Sequence, residues 1–205
     1  MQIFGVGVNI WHGLVVEEHT GIAIFVMLAL VIRLLADISA RGKAPTPRVT
    51  MIHQGTDFIA YLGSAAVVLF LVISGVTGYL IQPYSSLINS PILINKSLLA
   101  LVALFFWVSF FLVRHLMGPT LWEKKGLYLT EWVTAVLGIL FTALTASMGA
   151  ELTVGASALE PVYSALSFSW KTFLVQPDVI IATAAVVALG IFLAFLVPIF
   201  ERVKS

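Results

Sequence analysis

Apolar residues fall into five long runs along the chain, separated by shorter stretches that contain polar residues, glycine or proline. An α-helix needs about 20 apolar residues to cross the hydrocarbon core of a bilayer, and each run is close to that length. The pattern therefore predicts an all-α fold, an integral membrane bundle of five transmembrane helices. With their flanking residues, these helices are expected at about residues 8–39, 51–82, 95–118, 128–149 and 178–201.

The polar stretches predict how the bundle is oriented. Lys and Arg are concentrated after the first and third predicted helices and at the C-terminus, and short cytoplasmic loops carry such an excess. We therefore expect the N-terminus outside and the C-terminus in the cytoplasm of a multi-pass protein of the cell (plasma) membrane. No positively charged stretch precedes the first apolar run, so no cleaved signal peptide is expected. Residues 150–177 are predicted to form an external interfacial segment of the single transmembrane domain, which covers residues 1–205.

Composition excludes several classes of function. Hydrophobic residues make up 60% of the chain and charged residues 10%, and the formal net charge of +1 gives no basis for nucleic-acid binding. The absence of cysteine excludes disulfides, thiolate catalysis and iron–sulfur ligation. Any cofactor must therefore be held by His, Met, carboxylate or amide groups. We expect at most an electron-transfer subunit of an oxidoreductase complex.

Two histidines lie at neighbouring ends of predicted helices. His53 opens the second helix and His115 closes the third. Antiparallel neighbours joined by a short loop bring such positions to similar depth, and two neutral imidazoles facing each other can hold a haem iron. The spacing predicts one b-type haem whose iron is ligated by His53 and His115. The alternative is that both are polar groups at the membrane interface.

The other two histidines lie on the first predicted helix. His12 and His19 are seven residues apart, about two turns, so they share one face and cannot bind opposite sides of one haem. Either each has a partner from elsewhere or only one is a ligand, with Met148 or Lys96 as the nearest other candidates. A divalent-metal site with the adjacent glutamates and a hydrated helix end are the alternatives.

Ionisable residues near His53 and His115 form a second candidate site. Asp57 and Tyr61 follow His53 at successive helical turns, and Glu131 opens the fourth predicted helix at the same depth. Ionisable groups inside a membrane are candidates for function because burying them is costly. The group predicts proton exchange with a quinone headgroup, for which carboxylate and imidazole are suited. The alternative is a set of solvated helix ends.

A family resemblance adds to these expectations. The sequence HTGI at residues 19–22, followed by His53, Tyr61 and the sequence GVTGY at residues 75–79, resembles bacterial di-haem cytochrome b561-like membrane proteins. The resemblance covers about residues 15–82. It implies a helical bundle that binds haem b through histidines and passes electrons between quinones and partner redox subunits.

Carried onto this sequence, the resemblance implies that His19 and His53 face haem and that Gly75 and Gly78 give clearance for a porphyrin. The chain lacks the family's further helix with two well-separated histidines, since residues 101–112 contain none. One haem b on the cytoplasmic side is therefore expected in place of two.

A weaker similarity connects residues 19–23 and 148–152 with small four-helix membrane proteins that have a His-rich first helix, and it also implies haem. The function expected is a membrane-bound b-type cytochrome, the electron-transfer subunit of a respiratory or quinone-linked complex. Its expected partners are other membrane subunits, lipid and quinone. The alternative is a cofactor-free structural or anchor subunit of a multi-subunit membrane complex.

Overall fold

The computed structural model describes residues 2–3, 6–41, 44, 46–82, 84–155, 159–165, 172 and 182–183. Two short strands, β1 (Gln2–Ile3) and β2 (Val6–Gly7), pair antiparallel before the first helix. The rest of the regular structure in the described part is helical. The α-helices are α1 (Val8–Ser39), α2 (Pro47–Ile81), α3 (Tyr84–Asn89), α4 (Pro91–Met117), α5 (Lys125–Val154) and α6 (Glu160–Ala165), and a 3₁₀ helix (Gly118–Glu123) follows α4.

Four of these helices are long and apolar enough to cross a membrane. They are α1, α2, α4 extended by the 3₁₀ helix, and α5. Four of the five predicted membrane helices are thereby confirmed, and the chain is a multi-pass membrane protein by the length and composition of its helices. The fifth predicted helix, residues 178–201, lies outside the described residues.

Helix ends depart from the predicted bounds where local capping extends them. α2 begins at Pro47 and not at residue 51, because the Thr46 side chain accepts a 3.4 Å hydrogen bond from the Val49 amide and proline suits the first helical position. α5 continues to Val154, where Gly155 at φ 71° ends it. The first residues of the segment predicted to be interfacial are thus helical.

The four long helices pack as a closed antiparallel bundle. α1 lies against α2 and α4 against α5, while α2 also contacts α4 and α1 contacts α5. The core at the centre is built from Val26, Val67, Trp107 and Phe110, all fully buried. Large apolar residues cover the outer faces and remain exposed, which is the arrangement expected of a bundle surrounded by lipid. Buried polar side chains are therefore held between helices at two levels of the bundle.

Candidate functional site

One group of polar side chains lies at the end of the bundle that carries the α1–α2 connection and the 3₁₀ helix. All four long helices contribute to it, and it is termed the Asp57 cluster. Its members are Arg33, Asp37, His53, Asp57, Tyr61, Arg114, His115, Trp122 and Tyr128.

A buried ion pair joins α2 to α4 at the centre of this cluster. The Arg114 Nε donates to Asp57 Oδ1 at 2.6 Å, and a second guanidinium nitrogen donates to Asp57 Oδ2. The Trp122 indole N–H also donates to Asp57 Oδ1, at 2.5 Å. Such bidentate, charge-assisted contacts are the strong kind of hydrogen bond. Both oxygens of Asp57 are therefore engaged in structural contacts.

Tyr61 and His115 form a second contact between the same helices. The Tyr61 hydroxyl lies 2.8 Å from His115 Nδ1, and the two rings are nearly parallel with centroids 6.1 Å apart. The Arg114 guanidinium carbon lies 5.2 Å from the Tyr61 ring centroid, within the range of a cation–π interaction. The His115 imidazole is thus directed towards Tyr61.

His53 is directed the other way, towards α1. Its Nε2 lies 2.8 Å from Asp37 Oδ1, and the Tyr128 hydroxyl of α5 donates to Asp37 Oδ2 at 3.1 Å. Arg33 donates to the His53 carbonyl oxygen at 3.1 Å and stacks over the Trp122 ring at 4.5 Å. The spacing of Arg33 and Asp37 predicts a pair within α1. Each instead contacts a neighbouring helix.

The structure does not bring His53 and His115 together. His115 contacts Tyr61, which is eight residues beyond His53 on α2, or about 12 Å along the helix axis. Each imidazole also has its own polar contact on a different helix. Ligation of one iron by both would require His53 Nε2 to leave Asp37 and the two side chains to approach each other along the helix axis.

Glu131 differs from Asp37 and Asp57 at this depth, because its carboxylate makes no hydrogen bond with the described residues. It is 1% exposed, and neither carboxylate oxygen has a hydrogen-bond partner among the described residues. The contact of Trp107 with Gly138 sets the register between the antiparallel helices α4 and α5. Arg114 is seven residues after Trp107, and Glu131 is seven residues before Gly138. Glu131 therefore lies at the depth of the Asp57 cluster without joining its hydrogen bonds.

A second polar group lies at the opposite end of the bundle and is termed the His19 cluster: His12, His19, Thr77 and Lys96. His12 Nδ1 lies 3.0 Å from Thr77 Oγ1. The same imidazole fills the space beside Gly78, where an added Cβ would be 3.2 Å from His12 Cε1. Gly75 has no neighbouring atom within 4 Å of such a Cβ. Gly78 therefore makes room for His12 in this structure.

His19 has the geometry of an imidazole prepared as a ligand. It is 2% exposed, and its Nδ1 lies 2.8 Å from the Val15 carbonyl oxygen. A carbonyl can only accept, so Nδ1 carries the proton and Nε2 keeps its lone pair. Nε2 is buried and has no hydrogen-bond partner in the described part of the chain. An imidazole fixed through Nδ1 in this way is typical of histidines that bind metal through Nε2.

Other side chains at this end provide a cation and a thioether. The Lys96 ammonium approaches α5, 3.3 Å from where a Cβ on Gly149 would lie, and it is near enough to His12 and His19 to act electrostatically on both. Met148 is fully buried against Leu99 of α4. His19 and Met148 are therefore the buried side chains at this end whose donor atoms could bind an iron.

Two further predictions from the sequence concern a divalent metal and a quinone. Among the described residues, no group of three or more His, Asp or Glu side chains is placed to hold a divalent metal. A groove of about 430 Å³ lies between α1 and α2, lined by Ile32, Leu35, Arg48 and others. None of the residues predicted for quinone and proton exchange lines it.

Several members of the two clusters are not apparent from sequence patterns alone. Arg114 and Trp122 complete the contacts of Asp57, and Thr77 holds His12. Arg114 has a signal in the sequence, because it is an arginine inside an apolar run at the depth of an aspartate on a neighbouring helix. A tryptophan in a connection and a threonine in an apolar helix carry no comparable signal.

Comparison with known proteins adds no relative. The sequence matches no protein-family model, no curated protein and no solved structure. The resemblance to cytochrome b561-like proteins therefore stays a prediction that depends on the residues quoted for it.

Proposed function

We propose that this chain is a membrane-bound b-type cytochrome, an electron-transfer subunit of a respiratory or quinone-linked complex in the plasma membrane, and that His19 is an axial ligand of its haem. The observation that carries the proposal is the state of His19: a buried imidazole, fixed by the Val15 carbonyl, whose Nε2 has no described partner. Leaving such an atom unsatisfied inside a bundle is costly, and a metal bond removes that cost.

His19 is favoured over the pair His53 and His115 because of what each imidazole already contacts. Binding iron through Nε2 of His53 would displace its contact with Asp37. His115, whose Nδ1 contacts Tyr61, is exposed, whereas His19 is buried. Binding at His19 sacrifices no hydrogen bond of Nε2 within the described residues. The His12 ring fills the space beside Gly78 that a porphyrin would need, which supports one haem in place of two.

The residues around His19 determine how the site would work. The Val15 carbonyl sets the tautomer and the direction of Nε2, and the fully buried Ala23 and Val26 keep water from the same helix one and two turns further on. Lys96 supplies a positive charge near the site. When bound, haem b supplies one-electron redox chemistry, and the protein tunes it through such axial ligands, charges and burial.

A cofactor-free structural or anchor subunit is the second candidate. It is favoured by the Asp57 cluster, whose contacts connect all four long helices and engage both His53 and His115. In this alternative the histidines are structural, and the exposed apolar faces contact other membrane subunits.

Haem content distinguishes the two candidates. Protein purified with its native lipid and after haem supplementation should contain about one haem b per chain in a pyridine haemochrome assay. His19→Ala should lose it, whereas His12→Ala, which removes an imidazole from the same face of α1, should keep it. Equal haem content in wild type and His19→Ala would overturn the assignment of the ligand, and haem-free wild type would favour the anchor subunit.

A further inference from the structure

Glu131 is a buried acid that the proposed haem site does not use. It is 1% exposed, and its two carboxylate oxygens have no hydrogen-bond partner among the described residues. Of the three residues predicted for quinone and proton exchange, it alone is in this state, because Asp57 is held by Arg114 and Tyr61 by His115. An unpaired carboxylate is costly in such surroundings, while a neutral carboxylic acid is far less so.

The charged groups near the depth of Glu131 make their contacts with groups other than Glu131. On α2 and α4, Asp57 and Arg114 pair with each other. On α1, Arg33 donates through one terminal nitrogen to the His53 carbonyl and lies over the Trp122 ring, while its Nε has no hydrogen-bond partner among the described residues. No described cation makes a salt bridge with Glu131. A proton is therefore the simplest partner for its carboxylate.

A route for that proton runs through the neighbouring turn of α5. Tyr128 precedes Glu131 by three residues, so the two side chains are neighbours on one helix face, with Cβ atoms about 5–6 Å apart. The Tyr128 hydroxyl donates to Asp37 at 3.1 Å, and the Asp37 side chain is 32% exposed. Transfer from this hydroxyl to Glu131 would need a rotation of the Tyr128 side chain or a bridging water.

We propose that Glu131 is a proton-carrying site inside the membrane, loaded from the end of the bundle that holds Asp37 through the Tyr128 hydroxyl. In one transfer, the Tyr128 hydroxyl passes its proton to the Glu131 carboxylate and takes up the proton that Asp37 has received from water. Tyrosine ends unchanged, and one proton has moved from the surface to Glu131. This site is independent of haem, so loss of the haem proposal leaves it standing.

An apolar carbodiimide tests whether Glu131 carries a proton. The acid oxygen of a protonated carboxyl adds to the carbodiimide carbon, its proton goes to nitrogen, and rearrangement gives a stable N-acylurea that contains all atoms of both reactants. With the full chain in lipid vesicles, dicyclohexylcarbodiimide should add to Glu131, located by peptide sequencing and distinguished from Glu151 of the same helix, and the labelled fraction at Glu131 should fall several-fold as pH is raised. Labelling should vanish in Glu131→Gln.

The control is an acid in water. Glu123 is exposed in the 3₁₀ helix, so Glu123→Gln should leave labelling of the α5 peptide unchanged, and a water-soluble carbodiimide should reach Glu123 before Glu131. Because wild-type protein gives the primary result, misfolding of a variant does not affect it. Absence of labelling at Glu131 at every pH, with Glu123 labelled by the water-soluble reagent, would overturn the proposal.

Infrared spectroscopy tests the route. The carbonyl stretch of the Glu131 acid should shift when vesicles are transferred to heavy water, and Tyr128→Phe should slow that shift at least several-fold. Tyr61→Phe is the matched control, because it removes a hydroxyl of the Asp57 cluster that contacts His115 instead. Equal exchange rates in wild type and Tyr128→Phe would remove Tyr128 from the route.

Discussion

At the scale of single residues, the Asp57 cluster is held by charge. Asp57 accepts from Arg114 and from Trp122, while Arg114 also lies over the Tyr61 ring. The sequence marks Asp57 as an ionisable group within an apolar run. It does not identify Arg114 as the partner, since the two are 57 residues apart and the register between their helices is set by packing.

Removing one member of the buried ion pair should destabilise the protein strongly. Asp57→Ala leaves the Arg114 charge buried without its carboxylate, and breaking such a pair costs about 3–5 kcal/mol. Arg48→Ala is the control, because Arg48 is exposed near the start of α2. We expect a large drop in the melting temperature of Asp57→Ala alone. Unfolding in detergent is monitored by tryptophan fluorescence. Similar melting of both variants would contradict the role assigned to this pair.

At the scale of helices, apolar periodicity predicted four spans that the structure confirms. Their ends were less predictable, since Thr46 and Pro47 extend α2 backwards and Gly155 sets the end of α5. These signals act within one turn and do not alter the apolar pattern. The contacts between helices depend on small residues whose facing partners a single sequence does not identify.

Two glycines on α2 provide a matched test of helix packing. A Cβ added at Gly63 would overlap Val26 Cγ2 of α1, whereas one at Gly75 has no neighbour within 4 Å. Valine rotates poorly in a helix, so Gly63→Ala should cost about 1–3 kcal/mol through overpacking. Gly75→Ala should cost little. Combining Gly63→Ala with Val26→Ala should relieve the overlap, and thermal melting of the three variants in detergent measures each effect.

The outcome against this packing is equally clear. If Gly63→Ala and Gly75→Ala have the same melting temperature, α1 and α2 do not approach each other closely at Gly63.

At the scale of the whole molecule, the bundle separates its buried ionisable groups, among the described residues, into two levels with a largely apolar core between them. The sequence predicted that His12 and His19 lie towards one end of the bundle and His53 and His115 towards the other, but not that the last two differ in depth by about 12 Å. It did not predict direction, which depends on the rotation of each helix about its axis. Accordingly His53 contacts α1 and His115 contacts α2, while Nε2 of His19 is buried with neither a hydrogen bond nor an ion pair among the described residues.

The predicted orientation is testable because the chain contains no cysteine. A cysteine at Ser164, exposed in α6, should react with a membrane-impermeant maleimide in intact cells. A cysteine at Lys124, exposed between the 3₁₀ helix and α5, should react only after permeabilisation. Position 205, outside the described residues, should behave like Lys124 if the fifth predicted helix crosses the membrane. The reverse pattern at Ser164 and Lys124 would invert the topology.

The most direct test of the central claim is a dithionite-reduced minus oxidised visible spectrum of the purified wild-type protein and of three single variants. The account predicts a sharp b-type α band that is lost in His19→Ala and retained in His53→Ala and His115→Ala. A band that collapses in His53→Ala or His115→Ala and survives in His19→Ala would contradict it and place the haem at the Asp57 cluster. A wild-type spectrum without any band after haem supplementation would contradict the cytochrome function itself.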